Sequence, residues 1–228
     1  ATIYEMNKIF LNAVYGVSDD FFKFSPGDDV INEYFTPVQV IWETLIETIE
    51  EWSDSDRGKM KNHTPPEERG DDQTMDHLLF WPVGQKGLAH FIRDQIKKQL
   101  NEEGKEFSKN VVKKALKDIN KIDWDMFSGP WYGYTLRQRA KQDKSMRVGK
   151  AAKGTPELVW NIHNQGAAET NIADMIGFLT GVFASDKKQT EVFRDEWEGK
   201  LQLWKADPDL IEKKWKETLA VRKKITGK

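Results

Sequence analysis

The sequence predicts a mainly α-helical protein, an irregular bundle of about eight or nine helices with little or no sheet. Three observations lead there. Apolar residues recur at intervals of three and four along most of the chain. Ser, Thr or Pro stands before several of these runs, and Gly stands after the first, as helix ends require. Charged residues make up 32% of the chain, and alternating β-branched runs are scarce. The expectation is a single helical domain over residues 1–228, with the polar stretch 53–74 as the best sub-boundary.

Thr2-x-x-Glu5 forms a capping box before Ile3, Met6, Ile9, Phe10, Ala13 and Val14, and Gly16 is placed to end that helix. Residues 17–35 read as a connection. Thr36 then caps a second helix with Pro37 in its first turn and a stripe of Val38, Ile41, Trp42, Leu45, Ile49 and Trp52. Residues 53–74, with Pro65-Pro66 and Gly70, read as an exposed loop. Two helical pieces meet at Pro82-Val83-Gly84, the second carrying Leu88, Phe91, Ile92, Ile96 and Leu100. Ser108 caps a short helix through Val111, Val112, Ala115, Leu116 and Ile119.

The segment 122–134 mixes Gly129, Pro130 and packed aromatics and has no helical period, so it reads as irregular or short strand. A helix is expected to restart at Thr155-Pro156-Glu157 with Leu158, Val159, Trp160 and Ile162. A mostly apolar helix follows at 167–184. Two charged helices close the chain, carrying Trp197 and Trp215 and divided by Asp207-Pro208.

Composition excludes whole classes. The chain has no cysteine, so disulfide scaffolds and thiolate sites are out, which fits a reducing, cytoplasmic setting. No apolar run approaches a membrane span, and no signal peptide is visible. The chain starts at Ala1 rather than Met, which suggests a fragment or processed piece. Nine Trp and twelve Phe supply core enough to argue against disorder.

Motifs for chemistry are sparse. His63, His77, His90 and His163 show no metal-ligand spacing, and the acidic run at 54–72 lacks the alternation of a calcium loop, so no metal is expected. No phosphate-binding glycine motif and no nucleophile elbow occurs, so no cofactor is expected and the chain reads as non-catalytic. Gly84-Gln85-Lys86-Gly87 reads as a helix–helix turn.

Charge is the informative feature. Residues 19–72 hold 15 acidic and 5 basic residues. Residues 135–153 hold Arg137, Arg139, Lys141, Lys144, Arg147, Lys150 and Lys153 against Asp143 alone, directly after Trp131, Tyr132 and Tyr134. Such cations neutralise phosphates, Trp131 and Tyr134 could stack or brace, and Gly149 and Gly154 let a backbone come close to a phosphate. Two readings stay open: a free polyanion-binding strip, or a solvated loop paired with the acidic front half of the chain. The Trp and Tyr residues also fit a core.

The runs Leu116-Lys117-Asp118-Ile119-Asn120-Lys121-Ile122-Asp123-Trp124, Gly129-Pro130-Trp131-Tyr132-Gly133 and Met146-Arg147-Val148-Gly149-Lys150 resemble the C-terminal part of DGQHR-domain proteins, the DndB-like group of DNA sulfur modification. Residues 2–16, 36–52 and 78–100 are similar to its helices in outline. The signature Asp-Gly-Gln-His-Arg motif is absent, so the resemblance transfers no catalytic role. It implies a helical module of a prokaryotic or phage DNA-modification and defence system. It also implies duplex DNA as a partner, a role in DNA binding or transcription regulation, and a missing N-terminal ParB-like half or partner protein. The alternative function is a helical interaction scaffold, presenting Trp42 and Trp52, or Trp197, Trp204 and Trp215, to a protein partner.

Overall fold

The first helix forms where the capping pattern predicts. In a computed structural model that describes residues 2–18, 27–53, 76–131, 136–140, 158–162, 167–184, 186–203 and 208–227, α1 spans Thr2–Tyr15. Its apolar stripe buries Met6, Phe10, Leu11 and Ala13. Gly16 follows at φ +67°, a conformation that costs other residues about 1–2 kcal/mol.

α2 departs from the sequence reading. It spans Asp28–Thr48, so Thr36 is not its cap and Pro37 lies inside it, buried. An interior proline has no N–H to offer the carbonyl four residues back, here that of Glu33. Tyr15, at the end of α1, donates its hydroxyl to the Glu33 carbonyl at 3.2 Å. A neighbouring helix thus serves the group that Pro37 leaves open. Trp42 on α2 donates its Nε1–H to Asn7 Oδ1 at 2.8 Å and meets Phe10 edge-on, fixing α2 against α1.

After a 3-10 turn at Leu78–Phe80, Pro82 opens α3, Pro82–Lys97, so the junction expected at 82–84 lies inside the first turn of this helix. α3 packs against both α1 and α5 and is the central element. Glycine makes that possible. Gly84 and Gly87 are helical residues of α3, not a turn between helices, and a β-carbon on Gly84 would collide with the Leu78 carbonyl. On Gly87 it would sit 2.5 Å from Ile172 Cγ2 on α5. Gly87→Ala is therefore expected to destabilise the protein by about 1–2 kcal/mol in urea unfolding, overpacking outweighing alanine's better helix propensity. A stabilised variant would refute this close approach.

α3 runs into a π-helical turn, Lys98–Glu102, where buried Gln99 donates to the Val111 carbonyl at 3.0 Å. α4 spans Lys109–Ala115; Ser108 is its cap residue but makes no capping hydrogen bond with its side chain. The irregular segment that follows is threaded through the core. Leu78 N–H reaches the Trp124 carbonyl and Met126 N–H reaches the Asp76 carbonyl, both at 2.9 Å. Trp124 and Trp131 stack with centroids 5.3 Å apart.

Two strands form next, β1 at Leu136–Ala140 and β2 at Leu158–Ile162, paired antiparallel with Arg137 opposite Asn161 and Arg139 opposite Val159. The helix expected around Leu158–Ile162 is thus a strand. Leu-Val-Trp-Asn-Ile suits a strand once a partner is in reach, and that partner lies upstream at 136–140.

α5 spans Ala168–Leu179 and ends short of the expected residue 184. Gly181 at φ +72° reverses the chain, and Val182 N–H returns to the Gly177 carbonyl at 2.9 Å. α6, Lys187–Leu203, and α7, Pro208–Thr226, complete the fold. Arg222 of α7 donates to the Phe178 and Ala184 carbonyls at 2.5 Å each and lies 4.2 Å over the Phe178 ring, closing the carbonyl end of α5. The molecule is mainly helical, with seven α-helices among the described residues. One cluster of buried side chains extends from Met6 to Ile225. No helix among the described residues is long and apolar enough to cross a membrane.

Candidate functional site

The sequence-predicted residues fall into three groups. Trp131 is fully buried, stacked on Trp124, with its Nε1–H donated to the Asp123 carbonyl at 2.6 Å. It is a core residue and offers no face to a base, which corrects its assignment as a nucleic-acid contact. Arg137 and Arg139 occupy alternate positions of β1. Tyr134, Lys141, Lys144, Arg147, Lys150 and Lys153 lie outside the described residues, as do Gly149, Gly154 and the polar stretch 54–74.

The antiparallel register determines what these positions share. β1 ends at Ala140 and β2 begins at Leu158, so residues 141–157 join the two strands of one hairpin. All seven cations belong to that hairpin, two on its first strand and five in its connection. Upstream in the sequence, the segment 127–131, the root of this part of the chain, ends in buried Trp131; downstream, α5 starts with buried Ala168. The root lies against α7. Lys214 donates to the Phe127 carbonyl at 2.9 Å, and Gly129 packs closely on Glu217 and Thr218. α7 is itself basic, with six Lys and Arg against three Asp and Glu. Of the acidic front half, Glu47 pairs with Lys109 of α4, at 2.6 Å.

Of the tryptophans expected on a partner surface of α6 and α7, Trp197 is fully buried and Trp215 is 3% exposed. Trp42 and Trp52 are half-buried against the same core, and Trp204 lies outside the described residues.

A second polar constellation went unread in the sequence. Lys86, His90 and Arg93 stand at i, i+4 and i+7 on α3, hence on one face, and they line a cleft of about 330 Å³ against α1. From α1 come Glu5, Lys8, Ile9 and Asn12; from the first turn of α5 comes Glu169. Lys86 forms an ion pair with Glu169 Oε1, and His90 Nε2 faces Glu169 Oε2 at 3.4 Å. Arg93 Nη1 reaches His90 Nδ1 at 2.9 Å. A guanidinium only donates, so Nδ1 must accept and Nε2 must carry the proton towards Glu169. Burial, reinforced by the Arg93 charge, pushes the His90 pKa below the usual histidine range, and Glu169 only partly restores it. The imidazole is held neutral. Helical spacing alone could have joined the three α3 residues, but nothing local points to Glu169.

His77 is the other perturbed group. It is fully buried; its Nδ1 accepts from Leu79 N–H at 3.2 Å, which leaves the proton on Nε2, and Glu51 stands 3.9 Å away. That tautomer has no free lone pair for a metal. Among the described residues no group of three His, Asp or Glu side chains could hold one.

No protein-family model, no curated protein and no solved structure matches this chain.

Proposed function

We propose that this chain is a non-catalytic, DNA-associated helical module that grips duplex DNA through its basic hairpin. The observation that carries the reading is the antiparallel pairing of 136–140 with 158–162, which sets Arg137 and Arg139 on a strand and leaves Lys141, Lys144, Arg147, Lys150 and Lys153 between the two strands in the sequence. A two-stranded ribbon is narrow enough to enter a groove of duplex DNA, and cations along it release counterions from the phosphates. No recognition helix is in evidence among the described residues, so the expected mode is phosphate contact with weak sequence reading. Basic α7 beside the root adds to the same field. With the resemblance of residues 116–150 to DGQHR-domain, DndB-like proteins, this reading assigns the module to a DNA-modification or defence system. Its role there is DNA binding or regulation of transcription.

The test is duplex affinity as a function of salt. The intact chain is expected to show a linear fall of log K with log salt. Arg137→Ala/Arg139→Ala/Arg147→Ala should weaken binding across sequences and reduce the slope by about three. No binding at low salt, or an unchanged slope in the triple variant, would remove the proposal.

A further inference from the structure

We propose that the cleft between the end of α4, the α5–α6 connection and the last turns of α7 is a second seat for duplex DNA, where Lys117 and Lys223 hold the phosphate backbone. The inference rests on the reading of duplex DNA as the ligand, and not on the hairpin.

The cleft encloses about 710 Å³. Lys117 and Asp118 follow α4, and Lys121 closes the 3-10 turn Ile119–Lys121. The other walls come from Ala184 after α5, Lys187 in the first turn of α6, and Arg222 and Lys223 of α7.

The carboxylates that line it are already committed. Asp118 pairs with Lys121 at 2.6 Å, and Asp186 accepts the Gln189 N–H at 2.8 Å at the start of α6. The cations are not. Among the described residues, neither Lys117 nor Lys223 has an ion-pair partner. Lys187 lies 3.8 Å from Glu191, but the two side chains are 91% and 62% exposed, so water screens the pair. Arg222 faces no carboxylate among the described residues. It donates to the Phe178 and Ala184 carbonyls, and burial pushes its pKa below the usual arginine range. Its charge stands uncompensated next to Lys223 in the chain.

The backbone is strained at the same place. Asp118 at φ +67° and Ala184 at φ +55° are the two non-glycine residues in the left-handed region among those described, and both line this cleft. Such backbone is costly for a residue with a β-carbon and gathers at functional sites. At Ala184 the strained residue offers its carbonyl to Arg222, which keeps that guanidinium at the cleft.

Lysines from separate elements are point charges on flexible stems, which suit a row of phosphates better than a single anion held by a planar fork. No aromatic side chain lines the cleft among the described residues, so unstacked bases find no platform there. A duplex, whose bases stay inside, is the form that fits.

The experiment measures duplex affinity against salt for the full chain by fluorescence anisotropy. Lys117→Gln/Lys223→Gln changes two exposed side chains without ion pairs, so the urea midpoint should hold. The slope of log K on log salt should fall by about two, whatever the duplex sequence. Lys97→Gln/Lys98→Gln removes the same net charge outside the cleft and should leave the slope unchanged. The proposal falls if the Lys117/Lys223 variant keeps the slope of the intact chain, or if the Lys97/Lys98 variant loses as much. It also falls if poly-glutamate binds the intact chain more tightly than duplex and loses that advantage in the Lys117/Lys223 variant, which would make the occupant an acidic protein. A slope reduced by this variant but not by Arg137→Ala/Arg139→Ala/Arg147→Ala keeps the cleft and removes the hairpin; the reverse pattern keeps the hairpin and removes the cleft. Absence of duplex binding at low salt removes both.

Discussion

Trp131→Ala is expected to cost about 3–5 kcal/mol of stability, enough to unfold much of the protein at room temperature. The indole is fully buried and stacked on Trp124, and its removal leaves a large void in the core. It also strips the Asp123 carbonyl of the donor now held at 2.6 Å. The measurement is the urea midpoint. Trp131→Phe is the companion: it keeps most of the packing, loses the indole N–H, and should fall between the two. Because the ring faces the core, Trp131→Phe should leave duplex affinity unchanged wherever it is folded. A selective loss of DNA binding in a folded Trp131→Phe chain would restore the stacking role that its burial denies.

Stability should also fall as pH drops from about 6.5 towards 4, by about 3 kcal/mol from His77 alone. Burial among Trp124, Phe80 and Leu79 holds the folded-state pKa of His77 at about 4, below its ordinary 6.5, although Glu51 and Asp125 pull it up. The unfolded chain therefore binds a proton across that window while the folded one refuses it. The contribution is complete above the ordinary value, lost as pH falls towards the folded value, and constant below. Protonation would also place a hydrogen on Nδ1 against Leu79 N–H, which must then give up its acceptor. His90 acts in the same direction, while Asp123 and Asp174, raised by burial, act in the opposite one. The difference between the intact chain and His77→Asn, whose amide oxygen can still accept from Leu79 N–H, isolates the effect. Parallel stability curves for the two from pH 4 to 7 would refute it.

The elements that the sequence determined by itself are those whose causes are local. Pro82 and Pro208 in first turns and Gly16 past the end of α1 act within a few residues, and the chain obeys them; α1 likewise begins at Thr2, where the sequence places a helix start. The stripe Ile41, Leu45 and Ile49 is likewise buried where the helical period puts it. The core of the candidate function was local as well, since the run of seven cations is a property of consecutive residues.

Tertiary structure decided whatever depended on a partner far along the chain. Pro37 lies inside α2, where Tyr15 of another helix supplies the hydrogen bond that no sequence rule near Pro37 contains. Leu158–Ile162 is a strand because residues 136–140 are there to pair with it, and that same pairing sets Arg137 opposite Asn161 and Arg139 opposite Val159. Trp131 could have stacked on a base or filled the core; only the arrival of Trp124 against it and its burial settled the matter. Lys86, His90 and Arg93 share a face by helical spacing alone, yet they bound a cleft only because α1 and Glu169 close on that face. The physical reason is common to all four cases. Caps and periodicity act over one helical turn, whereas burial, pairing and charge balance depend on neighbours that only folding brings within a few ångströms.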